Sequence, residues 1–338
     1  MNFYPLVVSD IVEETSLAKS FTFRVEDKYQ SLFKYQAGQF LTLRLPWEDS
    51  FLDRCYSLSS SPSEGATLTV TVKRVKDGRA SNLLNDTLKV GDIVDVAPPS
   101  GRFVPTANAH PITLFAAGSG ITPVTSIIKQ TLKETGLSLR LLYANSTSDQ
   151  IMFEQALKEL SEQYPDRFHC HHHLSSDNGR INEAAIKHFI GDDTQQDFFI
   201  CGPGPFMDLI DNTLQASGAD EQTIFVERFI ADTESTLSSE TPVDSDIASF
   251  NAILDGEQHS VPYLAGNTLL ESMLAHDLKP AYFCQKARCG MCTVTKKAGD
   301  VIMRNSEILS KSDIEKDRIL LCQSLPLTAD ILVNCDAD

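Results

Sequence analysis

Cys284-Gln-Lys-Ala-Arg-Cys-Gly-Met-Cys292 sets three thiols into nine residues, and 29 residues then separate Cys292 from a fourth thiol, Cys322. Cys-x4-Cys-x2-Cys followed by a distant fourth cysteine is the ligand spacing of one type of 2Fe-2S site. A cluster needs thiolates converging from several directions. The tight loop supplies Cys284, Cys289 and Cys292, and a later segment brings Cys322. Such a site passes electrons one at a time. Zinc is the alternative occupant, but its ligands usually come as two short-spaced pairs, and Cys322 has no close partner in the sequence.

The flanking residues, about Ile247 to Asp338, resemble a plant-type ferredoxin. Asp255-Gly256 has the composition of a hairpin turn, Asn267-Thr-Leu-Leu-Glu-Ser-Met-Leu274 reads as a helix, and Leu321-Cys322-Gln323 surrounds the last ligand. One position departs from that pattern. Ferredoxins of this type commonly carry glycine two residues before the second cysteine, and here it is Ala287. Its methyl group is expected to crowd the cluster or to sit where a left-handed backbone favours glycine.

A chain of 338 residues is too long for this module alone and predicts two or three domains. With 42% hydrophobic and 22% charged residues, the composition is that of a globular protein with real cores. No apolar run reaches the length of a membrane span, and no basic region followed by an apolar stretch opens the chain, so a cytoplasmic location is expected. The remaining cysteines, Cys55, Cys170, Cys201 and Cys335, are scattered and read as packing thiols in a reducing compartment. A net charge of -17 leaves no basic patch for phosphates and argues against nucleic acid. The lysines and arginines are uneven along the chain: none lies between Phe229 and Leu278, and nine lie from Lys279 to Arg318.

Residues 232–246 are rich in Ser, Thr and acid and read as a linker. Before them the texture changes near His110. Phe21-Thr-Phe-Arg-Val25, Phe40-Leu-Thr-Leu-Arg-Leu45 and Leu68-Thr-Val-Thr-Val-Lys73 alternate apolar and polar positions, as short antiparallel strands do, and predict a small barrel over residues 1–107. Beyond it, strands are expected at Ile112 to Ala117, Leu139 to Ala144, Phe168 to Leu174, Phe198 to Cys201 and Thr223 to Val226. Helices are expected at Val124 to Glu134, Met152 to Gln163, Asn182 to Phe189 and Phe206 to Ser217. Alternating units of this kind form a parallel sheet, with ligands at the carboxyl ends of its strands.

Two glycine-rich turns sit at such ends. Gly118-Ser-Gly120-Ile-Thr122-Pro123 joins an apolar strand to a helix, where small residues admit a pyrophosphate and the helix end offers amides. Cys201-Gly202-Pro203-Gly204-Pro205-Phe206 opens a later loop; a buried small side chain is the plainer reading of Cys201. In the barrel half, Arg54-Cys-Tyr56-Ser57 offers a guanidinium suited to a pyrophosphate and an aromatic platform suited to a flat ring. Packing in the barrel is the plainer reading of Tyr56.

These motifs resemble the ferredoxin-NADP reductase superfamily, and the resemblance implies FAD and NADH or NADPH. It implies that Arg54 meets the flavin pyrophosphate, that Tyr56 stacks on the isoalloxazine and that Ser57 sits at the ring edge that accepts hydride. Val72, Lys73, Gly78, Ala80 and Ser81 would hold the rest of the pyrophosphate, favouring FAD over FMN. Gly118, Gly120, Thr122, Pro123, Cys201, Gly202 and Pro203 would receive the nicotinamide nucleotide. Phe229, in Glu227-Arg228-Phe229, would cover the flavin until the nicotinamide arrives. Asn145-Ser-Thr-Ser-Asp149 contains no base for a 2'-phosphate, and Asp149 favours NADH; Arg180 is the alternative phosphate ligand. His169, His171, His172 and His173 lie on an expected strand, where His171 and His173 face one side while Cys170 and His172 face the other, so they do not form one metal set.

The order of the three modules resembles the reductase components of the phenylacetyl-CoA epoxidase and 3-ketosteroid 9-hydroxylase systems. The expected fold is an antiparallel flavin barrel (1–107), an α/β nicotinamide domain (108–230), a linker (231–246) and a β-grasp ferredoxin domain (247–338). The implied path runs from NAD(P)H to FAD, to a 2Fe-2S cluster at about -400 mV, and to a terminal oxygenase or desaturase. Another metalloprotein acceptor, such as a hybrid-cluster protein, and a redox-sensing role are the alternatives. A monomer is expected.

Overall fold

The computed structural model describes residues 2–65, 67–106, 110–229, 247–287 and 289–336. They form two compact units, one built from Asn2–Phe229 and the other from the described residues beyond it. The expected linker and the expected boundary at 107–108 lie outside the described residues.

Six strands open the first unit: β1 (Tyr4–Thr15), β2 (Ala18–Arg24), β3 (Phe40–Trp47), β4 (Ser50–Ser57), β5 (Leu68–Lys73) and β6 (Ile93–Ser100), with helix α1 (Arg79–Thr87) between β5 and β6. They pair antiparallel in the order β4-β3-β6-β1-β2-β5. A bridge between Leu58, just past β4, and Val70 of β5 brings the two edges of the sheet together and closes the barrel. The period of two decides which side chains face inward. Phe21 and Phe23, Leu41, Leu43 and Leu45, and Leu68, Val70 and Val72 fill the interior, and Ala80 and Leu84 of α1 plug one end.

The rest of this unit alternates strand and helix: β7 (Ile112–Ala117), α2 (Ile121–Glu134), β8 (Leu139–Asn145), α3 (Glu154–Gln163), β9 (Phe168–Leu174), α4 (Ser175–Asn178), α5 (Glu183–Ile190), β10 (Asp197–Gly202), α6 (Gly204–Ala216) and β11 (Ile224–Arg228). All strand pairs are parallel, in the order β11-β10-β7-β8-β9. The chain runs outward from β7 to β9 and then returns to the other side of β7. The order of strands therefore reverses between β7 and β10, where such sheets bind ligands. α2 and α3 bury Val124, Ile127, Ile128 and Leu157 on one face, while α5 and α6 bury Ile186, Ile190, Ile210 and Leu214 on the other.

Several boundaries differ from the expected ones by one to three residues, α2 for instance beginning at Ile121 rather than Val124, and two have clear local reasons. α3 begins at Glu154 rather than Met152 because Phe153 takes a left-handed φ of 59°. α6 begins two residues early because Pro203 sits at the cap and Pro205 lies in the first turn, where a missing amide costs nothing.

The barrel and the parallel sheet hold each other. Ser126 of α2 donates to the carbonyl of Ser60 at 2.5 Å, the Ala37 amide donates to Gln130 at 3.1 Å, and Lys129 pairs with Glu64 at 3.1 Å. Gly38, at φ 93°, is needed here: a Cβ on it would lie 1.8 Å from the carbonyl oxygen of Phe103.

The second unit is a mixed sheet in the order β13-β12-β18-β14-β16, made of β12 (Ser249–Leu254), β13 (Glu257–Pro262), β14 (Thr293–Ala298), β16 (Arg318–Leu320) and β18 (Leu332–Asn334). A two-stranded ribbon, β15 (Val301–Met303) with β17 (Ser324–Pro326), and helices α7 (Leu269–Ala275) and α8 (Lys311–Glu315) complete it. The expected Asp255-Gly256 turn joins β12 to β13 with both residues at positive φ, 55° and 78°. α7 starts after Thr268, which shares a reciprocal capping box with Glu271, and buries Leu269, Leu270 and Met273 against Phe250, Ile319 and Val333.

Candidate flavin, nucleotide and cluster sites

Arg54, Tyr56 and Ser57 occupy the C-terminal half of β4. Burial raises the Tyr56 phenol well above its ordinary pKa, so it stays neutral. Ser57 is buried, and its hydroxyl donates to Oε2 of Glu227 on β11 at 3.2 Å. Glu227 pairs in register with Cys201 of β10. Burial lifts the Glu227 carboxyl to about 8, against the pull of the Ser57 hydrogen bond. Cys201 has no exposed surface, and burial, with Glu227 beside it, pushes its thiol well up. Ser57, Cys201 and Glu227 thus form one group at the carboxyl end of β10, with the thiol neutral and the carboxyl able to hold a proton near pH 8.

Gly120 abuts this group because nothing larger fits: a Cβ there would lie 2.1 Å from the Cys201 carbonyl oxygen. Gly118 adopts a left-handed φ of 52°. Thr122 donates to the Ser119 carbonyl at 3.0 Å, fixing the first turn of α2 around Pro123. Gly202 is equally confined, since a Cβ would meet Phe206 at 2.9 Å and Ala117 at 3.0 Å. On the barrel side, Gly78 caps α1, and the Ser81 hydroxyl accepts from the Val75 amide at 3.1 Å, with Ala80 buried between them. Val72 is buried and Lys73 reaches out of β5, its Nζ donating to Gln150 at 3.3 Å. Burial lowers the Lys73 pKa while Asp149 raises it. Asp149 lies in the 3-10 turn Ser148–Gln150, Arg180 is exposed after α4, and Phe229 is 41% exposed after β11.

The helix ends fit anionic cofactors. α1, α2 and α6 open on Gly78, Gly120 and Pro203 with no side-chain cap, and so does α3. α5, α7 and α8 are capped by Asn182, Thr268 and Ser310. First-turn amides that no side chain satisfies suit a pyrophosphate.

The cysteine loop spans α7 to β14, and Cys322 follows β16. Cys284 and Cys289 face each other as one hydrogen-bonded pair and Cys292 and Cys322 as another. Shared hydrogen bonds and burial push the Cys289 and Cys292 thiols up. Among the described residues, no three His, Cys, Asp or Glu side chains surround one point as a single ion requires. Two pairs of thiols suit two irons, whereas zinc would need all four at one point. The Lys286 amide donates to Cys284 Sγ and the Cys284 amide to Cys289 Sγ, each at 3.4 Å, which favours negative charge on sulfur. Ala287 is buried at φ 53°, so the left-handed conformation expected of glycine is kept with alanine in place. Cys170 and His172 lie on one side of β9, 3.5 Å apart.

Family models match in the same order: an oxidoreductase FAD-binding domain at 5–104, an oxidoreductase NAD-binding domain at 114–212 and a 2Fe-2S iron-sulfur cluster binding domain at 252–327. The ferredoxin reductase component of 3-ketosteroid-9-alpha-monooxygenase from Rhodococcus rhodochrous is 38% identical, over 96% of this chain and 94% of its own. The chain belongs to the reductase components of oxygenase systems. One of the polypeptides of 1,2-phenylacetyl-CoA epoxidase from Escherichia coli is 32% identical over 99% of this chain and 98% of its own. The solved phthalate dioxygenase reductase has the same fold, with a TM-score of 0.63 at 24% identity, covering 98% of each chain. This reductase carries electrons from NAD(P)H through FAD and a 2Fe-2S cluster to an oxygenase. No helix among its described residues is long and apolar enough to cross a membrane.

Two residues of these sites do not stand out in the sequence. Glu227 reads there only as a neighbour of Phe229, although an acid inside the apolar run Ile224-Phe-Val-Glu227 is itself a signal. Gln323, a polar residue between Leu321 and Leu325, reads only as a flank of the fourth cysteine.

Proposed function

We propose that the reductase serves a monooxygenase, with a 3-ketosteroid 9α-monooxygenase the first system to test. The Ser57–Glu227 hydrogen bond carries the reading of the flavin end, because it joins the two halves of a hydride-transfer site across the barrel and the parallel sheet. Arg54 and the α1 end, with Val72, Lys73, Gly78, Ala80 and Ser81, hold FAD. Tyr56 flanks the ring, and Phe229 covers it when no nucleotide is bound. Gly118, Gly120, Thr122 and Pro123 hold the nucleotide pyrophosphate, and Cys201, Gly202 and Pro203 wall the nicotinamide. Ser57 and Glu227 orient the reacting edge, the carboxyl holding or releasing a proton there, and the neutral Cys201 thiol keeps charge away from it. Asp149 binds the ribose diol of NADH, with Arg180 the phosphate ligand if NADPH is used. Cys284, Cys289, Cys292 and Cys322 hold the cluster.

A domain boundary near 107–108, a linker at 231–246, a monomeric state and a cytoplasmic location complete the proposal. Reconstitution with a purified 3-ketosteroid oxygenase tests it: steroid hydroxylation coupled to NADH oxidation is expected. Coupling to a phenylacetyl-CoA epoxidase instead would assign the chain to that system, and coupling to neither would reject both.

A further inference from the structure

Gln323 follows the fourth cysteine and is 7% exposed. Its side-chain nitrogen lies 2.8 Å from the Cys322 carbonyl oxygen, 3.4 Å from Cys322 Sγ and 3.5 Å from the Gln285 carbonyl oxygen. All three neighbours are acceptors. The amide nitrogen, not the oxygen, must therefore face them, because the flipped carboxamide would set oxygen against oxygen. The backbone holds the residue on both sides: its amide donates to Leu320 at 2.9 Å, and its carbonyl accepts from Arg304 at 2.9 Å.

We propose that Gln323 is a positioning residue for the cluster, tying the three-cysteine loop to the fourth ligand and raising the cluster's reduction potential through its bond to the Cys322 sulfur. The proposal rests on the four-cysteine ligand set. Gln285 lies inside the loop and Cys322 beyond β16, so one carboxamide links both ligand-bearing segments. Reduction adds negative charge to the cluster and its sulfurs. A donor aimed at a ligand sulfur stabilises that charge more in the reduced state than in the oxidised state. Backbone amides reach Cys284 and Cys289 whatever the side chains are; the donor from Gln323 belongs to the sequence.

The test is a dye-mediated redox titration of the holoenzyme, followed by the electron paramagnetic resonance signal of the reduced cluster. Where half of the wild-type cluster is reduced, Gln323→Leu should have a reduced-to-oxidised ratio about tenfold lower, a potential about 59 mV more negative. Gln323→Glu, which puts an acceptor in place of the donor, should fall at least as far. A fully iron-loaded Gln323→Leu with an unchanged potential overturns the proposal. If that variant loses its iron, the wild type decides, with glutamine labelled with 15N at its side-chain amide. A 15N coupling to the reduced cluster supports the hydrogen bond, and its absence overturns it.

Discussion

The hydroxyl of Ser57, at the end of β4, donates to Oε2 of Glu227 on β11, 3.2 Å away and 170 residues later. One hydrogen bond thus joins the last residue of a barrel strand to the edge strand of the parallel sheet, beside the buried Cys201. Its geometry depends on both folds being docked, so neither residue's role can be read from its own neighbours.

Glu227 gives the first prediction. Burial raises its carboxyl from 4.5 to about 8 in the folded chain. Between those values the folded state keeps a proton that the unfolded state has released. Stability therefore falls as pH rises from about 4.5 to about 8 and levels off above that. Glu227→Gln, neutral in both states, should flatten this slope in denaturant titrations of the flavin-free protein. The same variant should slow flavin reduction by NADH about 100-fold in stopped-flow measurements, because it disturbs the orientation of the reacting edge. An unchanged slope would show that Glu227 is ionised in the folded state.

Gly120→Ala should be poorly tolerated. The added methyl would meet the Cys201 carbonyl at 2.1 Å and the Gly202 nitrogen at 2.8 Å, both of them backbone atoms that cannot rotate away. A loss of about 3 kcal/mol is expected in chemical denaturation, with weaker NADH binding. Gly136→Ala, with open space around it, is the control and should change neither.

At Ala287 two effects oppose each other. Left-handed backbone costs an alanine about 1–2 kcal/mol, but glycine would lose a buried methyl worth about 0.8 kcal/mol and gain about 0.5–1 kcal/mol of unfolded-state freedom. Ala287→Gly should accordingly shift stability by less than about 1 kcal/mol and retain the cluster. Ala287→Val, β-branched at positive φ and 2% exposed, should fail to assemble it, as read from the visible spectrum and iron content.

Much of the architecture was legible because periodicity and punctuation agreed. Alternation marked Leu68–Lys73, glycine turns marked both ends of the β7/β10 switch, and the segment Asn267–Leu274 marked α7, whose capping box of Thr268 with Glu271 the structure then showed. What the sequence concealed is long-range proximity. Lys73 belongs to a barrel strand, yet it reaches Gln150 and lies near Asp149, so a base stands beside a segment that has none of its own. Glu227 and Gln323 were hidden for the same reason: their partners lie far away in sequence or in the turn of a loop.

Nucleotide choice follows from that corner. In the proposed nucleotide site an Asp149 carboxylate would accept from the ribose diol and repel a 2'-phosphate, so NADH should be preferred by about tenfold in kcat/KM, roughly 1.4 kcal/mol. Lys73 moderates this repulsion, and Asp149→Asn should erase most of the preference. Parallel kinetics with both nucleotides decide it. A preference for NADPH that collapses in Arg180→Ala would transfer the role to Arg180.

The two compact units each bury their own apolar core, so two activities of one chain should be separable. Cys322→Ser removes a thiol from the Cys292 pair and should abolish electron delivery to a one-electron protein acceptor such as the oxygenase. NADH-driven ferricyanide reduction should persist near the wild-type rate, because ferricyanide can take electrons from the flavin, which the other compact unit holds. The variant should also retain its FAD and its thermal transition for the first unit. Equal loss of both activities, with FAD released, would show that the cluster-bearing unit is needed to hold the flavin-bearing one together.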